Sequence, residues 1–121
     1  MSAYSDVREI GPQKIGDGLV ARAVHGDRVT LGLIELAPGA RVPEHSHENE
    51  QVGILLEGSL TFRIDGETRD LGPGATWRIL AHEPHSVTAG PDGSVLVEVF
   101  SPPRHDWRAL EAQEPGPGRW P

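Results

Sequence analysis

Short apolar runs, each cut off within a few residues by glycine, proline or a polar turn, recur from Leu19 to Phe100. The 15 glycines and 11 prolines fall between these runs and do not form a low-complexity block, so they read as the punctuation of an all-β domain. Expected strands are Leu19–Val24, Val29–Leu36, Arg41–His45, Gln51–Leu56, Ser59–Ile64, Glu67–Leu71, Thr76–Leu80, His85–Ala89 and Val95–Phe100. Asp65-Gly66 is a tight hairpin turn, because glycine accepts the positive φ such turns demand. Strands at this spacing predict a barrel or jelly roll. One short helix is expected from Arg104 to Ala112, with Pro102-Pro103 setting its start. The segment from Glu114 to Pro121 can sustain neither a helix nor a ladder, so it is a loose tail or an arm packed on something else. Its Trp120 is either inert or an anchor onto a partner subunit.

The 121 residues suit one domain, with a core of about 15–101 and a tail of 102–121, and no internal repeat divides them. There is no cysteine, which excludes disulfides and thiolate ligands and leaves nitrogen and oxygen donors for any metal. A formal charge of −7, with arginines scattered from Arg8 to Arg119, argues against a nucleic-acid partner. The first residues lack a basic stretch followed by an apolar one, and no run of about 18 apolar residues occurs, so a soluble, cytoplasmic protein away from membranes is expected.

The chemistry concentrates between Gly39 and Gly58, which enclose His45-Ser46-His47 and Gln51. On an extended chain, residues one apart point to the same side, so both imidazoles can converge on one ion. On a helix they would diverge by about 200°. Gln51 offers a third donor, and His85, opening a later strand, can return beside the first pair. Three imidazoles and an amide oxygen make a four-ligand shell with room for water or substrate.

These residues resemble the cupin superfamily, whose first motif is Gly-x5-His-x-His-x3or4-Glu-x6-Gly. Its second motif centres on a glycine, a proline and a histidine. Here the second motif appears as Leu71-Gly72-Pro73-Gly74 with Pro84-His85-Ser86. The resemblance implies a double-stranded β-helix and one divalent transition ion, Zn, Ni, Mn, Fe or Cu, held by His45, His47, Gln51 and His85. Gln51 stands where the family usually has Glu, and Leu80 and His82 stand where it often has Pro and Gly. Glu50 competes for the fourth ligand position, but its spacing breaks the family count on both sides, which favours Gln51 and leaves Glu48 and Glu50 on the rim. A neutral ligand set leaves the ion its full charge, which strengthens Lewis-acid chemistry.

In Val95-Leu96-Val97-Glu98-Val99-Phe100 a single carboxylate interrupts an apolar strand, on the face of Leu96 and Phe100. Glu98 is either salt-bridged at an edge or an acid/base in a cavity. The segment Glu98-Val99-Phe100-Ser101-Pro102-Pro103-Arg104 is similar to the Asp-x-Phe-x-x-x-Arg stretch of the small pectin-degradation cupins, which linearise 4,5-unsaturated uronates. That likeness implies catalytic roles for Glu98, Phe100 and Arg104, although Glu98 is one methylene longer than the Asp of that group. Arg104 would grip a substrate carboxylate through two parallel hydrogen bonds, or else pair with Asp106. Phe100 and Trp77 also read as core residues. His82 can reach the rim, while His25 and His105 are expected on the surface, His105 paired with Asp106. The leading expectation is a metal-dependent isomerase or tautomerase acting on a small carbohydrate-derived molecule. A dioxygenase using Fe or Cu, a non-catalytic metal- or sugar-binding module and a polyketide cyclase are the rivals. Small barrels of this kind commonly pair, so a homodimer is expected, with the valine face of the last strand, the N-terminal strand and Trp120 as candidate contacts.

Overall fold

The computed structural model describes residues 2–121. After a 3-10 turn at Val7–Glu9 come eight strands: β1 (Gln13–Gly16), β2 (Leu19–His25), β3 (Thr30–Leu36), β4 (Arg41–His45), β5 (Glu50–Ile64), β6 (Glu67–Leu71), β7 (Thr76–Ile79) and β8 (His85–Ser101). A single helical turn, α1 (His105–Arg108), follows. Every pairing is antiparallel, in the order β1-β2-β3-β8-β5-β6, with β4 on β8 and β7 on β5. None of the helices among the described residues is long and apolar enough to cross a membrane.

Two pairs of expected strands are each one continuous strand. Residues 51–56 and 59–64 belong to β5, and residues 85–89 and 95–100 belong to β8. The ladder between them runs from Glu50↔Ser101 to Ile64↔His85, with irregularities between Leu55 and Glu57 and between Gly58 and Leu60. These bulges bend both strands so that their outer halves join different sheet faces. Gly58 has φ +82°, and a Cβ there would lie 2.0 Å from the Gly93 carbonyl oxygen. The glycines taken as a stop are therefore a corner at which pairing continues.

One half of the β5–β8 ribbon extends through β3, β2 and β1, and the other pairs with β4 and β6. Between these faces lies the core, including Leu19, Ile34, Leu36, Leu55, Leu60, Phe62, Ile79, Leu96 and Phe100. Each such side chain contributes about 1.5–3 kcal/mol of burial free energy. The Asp65-Gly66 hairpin forms as expected, with φ 47° and 82°, the signature of a type I′ turn.

Strand β1 is not legible in the sequence because its four residues, Gln13-Lys14-Ile15-Gly16, hold a single large apolar side chain. It shortens the expected helix. Gln13 donates its amide N–H groups to the carbonyls of Trp107 and Leu110, and its backbone bridges Ala112, so the chain leaves helical geometry after α1 to join β1. The C-terminal segment is a packed arm. Buried Arg22 pairs with Glu35 at 2.8 Å and donates to the Gly116 carbonyl, while Arg119 donates its backbone N–H to Glu35 and its guanidinium N–H to the Asp92 carbonyl.

In the ladder Gly53 lies between Trp77 of β7 and Glu98 of β8. A Cβ at Gly53 would meet the Trp77 ring at 2.6 Å. Gly53→Ala is therefore expected to destabilise the protein by about 1–3 kcal/mol, as overpacking of an interior does. Urea unfolding checks this, and an unchanged midpoint contradicts it.

Candidate metal centre

His45 ends β4 and faces His85, the first residue of β8, as its direct partner in the ladder. Their ring centroids are 4.2 Å apart. His47 lies in the bend just past β4, so the expected extended geometry holds for only part of the His-x-His segment. The rings converge nonetheless, with His47 at 5.6 Å from His45 and 5.0 Å from His85. One ligand nitrogen from each histidine falls within 4.8 Å of the others.

The backbone sets which nitrogen is available. Nδ1 of His45 contacts the Pro43 carbonyl at 2.8 Å, Nδ1 of His47 that of Asn49 at 2.9 Å, and Nδ1 of His85 that of Glu83 at 2.8 Å. A carbonyl can only accept, so each Nδ1 carries the hydrogen and a neutral ring keeps its lone pair on Nε2. Burial lowers the pKa of His47 and pushes that of His85 down to about 4, which keeps both rings neutral near pH 7.

Nε2 of His47, Nε2 of His85 and Oε1 of Gln51 are buried without a hydrogen-bond partner among the described residues. Unpaired buried acceptors are costly and uncommon in folded proteins. The two imidazole nitrogens belong with the more exposed His45 to a cluster that could hold a metal ion, and Gln51 lines the same cavity. Gln51 is 5 % exposed, whereas Glu50, one residue earlier on the opposite face of β5, is exposed.

Glu98 is buried on the cavity wall. Its Oε2 accepts from the Gln51 amide and, at 2.8 Å, from the Trp77 indole. Burial raises its pKa, opposed by those two hydrogen bonds and by the Arg104 charge. The carboxylate is thus hydrogen-bonded in the interior without a direct ion pair.

Arg104 also lines the cavity. Its guanidinium lies over the edge-packed Phe100 and Trp107 rings, 4.8 Å and 4.5 Å from their centroids, and its backbone N–H donates to Thr30 Oγ1. Nε and Nη2 bond both oxygens of Asp106 at 3.1 and 2.9 Å, which lowers the Asp106 pKa. The expected pairing of His105 with Asp106 does not form; Arg104 takes that carboxylate. Phe100 is 2 % exposed, yet its ring lies 6.3 Å from that of His47, so it is both core and cavity wall.

His82 is exposed and outside the histidine cluster, but its backbone N–H holds the His47 carbonyl. His25 contacts Thr30 across the β2–β3 hairpin and is half-buried. Asn49 was missed. It is buried and donates to the Pro102 and Pro103 carbonyls, tying the His47 bend to the segment that carries Arg104. Its place between two solvated glutamates gives no sequence signal. Trp107, which closes the core beside Phe100, stood only in the expected helix.

The cupin domain family model matches residues 32–100, and the chain belongs to this family. It is a small cupin resembling the pectin-degradation cupins, with three histidines positioned to bind a metal ion. Pectin degradation protein KdgF of Dickeya dadantii (strain 3937) is 31 % identical over 97 residues, covering 78 % of this chain and 88 % of that protein. The structure of KdgF from Halomonas sp. superposes with a TM-score of 0.80 at 25 % identity, over 88 % of this chain and 98 % of that one. An RmlC-like cupin from Shewanella frigidimarina gives a TM-score of 0.81 at 26 % identity, over 88 % of this chain and 96 % of the other.

The lowered pKa of His85 gives the metal-free protein a defined pH response. The unfolded chain takes up this proton near pH 6.5 and the folded chain only near 4. Stability is therefore fully present above 6.5 and is lost as pH falls through that window, with a limiting slope of about 1.4 kcal/mol per pH unit. Chelator-treated wild type and His85→Asn, unfolded in urea at pH 7.5 and pH 5, are expected to differ in this sense. Equal losses in both proteins would show that His85 does not carry the effect.

Proposed function

We propose that this protein is a metal-dependent isomerase that tautomerises a small, uronate-like carbohydrate. The observation that carries this reading is the placing of Glu98 and Arg104 on the wall of the same cavity as the three histidines and Gln51. The similarity to KdgF, a pectin degradation protein, supports it. In this reading Gln51 is the fourth ligand, since its buried oxygen lacks a partner while Glu50 faces solvent.

A bound divalent ion supplies Lewis acidity toward a substrate carbonyl or hydroxyl oxygen. Arg104 binds the substrate carboxylate through its Nη1–Nη2 edge, with Asp106 holding the opposite edge and the two aromatic rings fixing the plane. Glu98 divides its work between its oxygens. Oε2 is held by Gln51 and Trp77, while Oε1, without a hydrogen-bond partner among the described residues, takes the enol O–H proton. The resulting acid returns a proton to the neighbouring carbon, so enol becomes ketone with no net change in atoms. Phe100 keeps water from one side of the guanidinium and of the reacting centre.

The cavity floor of Leu19, Ile34, Leu36 and Leu96 supports a second reading, a dioxygenase acting on a more apolar substrate. Incubation of metal-loaded protein with 4,5-unsaturated galacturonate, followed by NMR of the products and an oxygen electrode, separates the two. The isomerase reading expects a ketonised open-chain product, abolished by chelation, with no oxygen uptake. Turnover that consumes oxygen overturns it. Glu98→Gln is expected to lower kcat by about 10²–10⁴-fold, and Arg104→Ala to act mainly on KM. Equal kcat in Glu98→Gln and wild type would remove Glu98 from proton transfer.

The homodimer is also part of this proposal. Val24, Leu31 and Val52, with half-buried Val99 between the last two, form one row across β2, β3, β8 and β5, and Ile54 continues the apolar surface. A second copy covering these side chains gives a solution mass of twice 13.1 kDa, which light scattering measures; a monomer at micromolar concentration counts against it.

A further inference from the structure

The buried amide of Gln51 has two ends, and the fold decides where each one points. Its Nε2 meets a Glu98 oxygen, and its Oε1 has no hydrogen-bond partner among the described residues. That oxygen already accepts the Trp77 indole N–H and so acts as an acceptor, which places the donor Nε2 toward Glu98 and Oε1 away from it. The indole of Trp77 is donor-only and bonds the same Glu98 oxygen, so the carboxylate cannot turn without losing a second partner. Trp77 is held in turn against Gly53, where no side chain fits. In the ladder Trp77, Gly53 and Glu98 are direct neighbours on three adjacent strands, and Gln51 lies two residues from Gly53 on the same face of β5.

We infer that Glu98 is a positioning residue for the metal centre: it fixes the Gln51 amide with its oxygen toward the three imidazoles and sets a negative charge directly behind that neutral ligand. This rests on the reading of Gln51 as the fourth ligand. The cupin motif usually carries its charge on a glutamate at this position; here the charge stands one hydrogen bond further out. An anionic acceptor on the amide N–H draws electron density toward the amide oxygen and makes it a better donor to a cation. The ion then feels less positive surroundings than a set of three histidines and an isolated amide would give. Outer partners of this kind typically govern affinity by 10–100-fold.

Cobalt(II) tests this without any assay of turnover. Full-length metal-free protein is titrated with Co2+ in competition with a chromophoric chelator, and the visible absorption of the bound ion is recorded. Glu98→Gln keeps an acceptor for both donors but removes the charge, and is expected to weaken Co2+ binding about 10–100-fold with the band pattern retained. Glu98→Leu removes the acceptor as well; its binding is expected to be at least as weak, and its bands to resemble those of Gln51→Ala. The double variant Gln51→Ala/Glu98→Gln is expected to bind no more weakly than Gln51→Ala alone.

Two failures are distinguishable. Gln51→Ala with wild-type affinity and spectrum overturns the fourth-ligand reading itself. If Gln51→Ala weakens binding while Glu98→Gln and Glu98→Leu stay within twofold of wild type, the positioning role is overturned. Additive losses in the double variant overturn it too, because Glu98 would then act on the ion without the amide. Thermal unfolding of each metal-free variant establishes that it is folded, and either Glu98 variant alone suffices for the test.

Discussion

Pairing between β5 and β8 along nearly their whole length is the constraint on which everything else in this molecule depends. Both strands turn the corner near Gly58 and Gly93, where the ladder skips Ser59 and residues 90–93 and then resumes, so one ribbon supplies part of both barrel faces. Its two ends also carry the site. Glu50–Ser101 and Gln51–Phe100 lie at one end of the register, and Ile64–His85 at the other. Bending brings these ends around the same cavity, where β4 adds His45 beside His85. A shift of one residue in this register would turn Gln51 and Glu98 outward and bring Glu50 and valines inward.

The centre is unusual in what it leaves unpaired. Three buried lone pairs and a buried carboxylate are each unfavourable in a folded interior, and a strand interior of this kind would ordinarily be filled by aliphatic side chains. Their concentration in one place, while the rest of the core is apolar, marks the region where stability has been given up for chemistry. The backbone carbonyls of Pro43, Asn49 and Glu83 settle the orientation of all three imidazoles. Rigid neighbours therefore preorganise the donors, and little reordering is left for the act of binding.

Much of this was readable in the chain because it depends on local spacing. His45 and His47 are one residue apart, His85 opens a strand that can return beside them, and Glu98 stood out as a lone charge in an apolar strand. The gathering of the three imidazoles follows from such spacing; ligation by Gln51 remains the proposal made above. What the sequence did not disclose depends on contacts distant along the chain. Arg104 meets Asp106 and two rings in a geometry that no spacing specifies, Asn49 reaches across to Pro102, and Gln13 ends a helix almost a hundred residues later. The continuity of β5 and β8 was missed for a related reason: glycine marks a stop and a tight corner alike, and only the partner strand distinguishes them.

The three tryptophans occupy three unlike surroundings: Trp77 bonded to a buried carboxylate, Trp107 stacked against a guanidinium, and Trp120 partly exposed on the C-terminal arm. Their emission is expected to differ in colour, with the half-exposed indole of the arm redder than the two buried ones. A paramagnetic ion seated among the imidazoles would darken the blue part of that light and spare the red, giving the molecule a built-in optical gauge of its own occupancy.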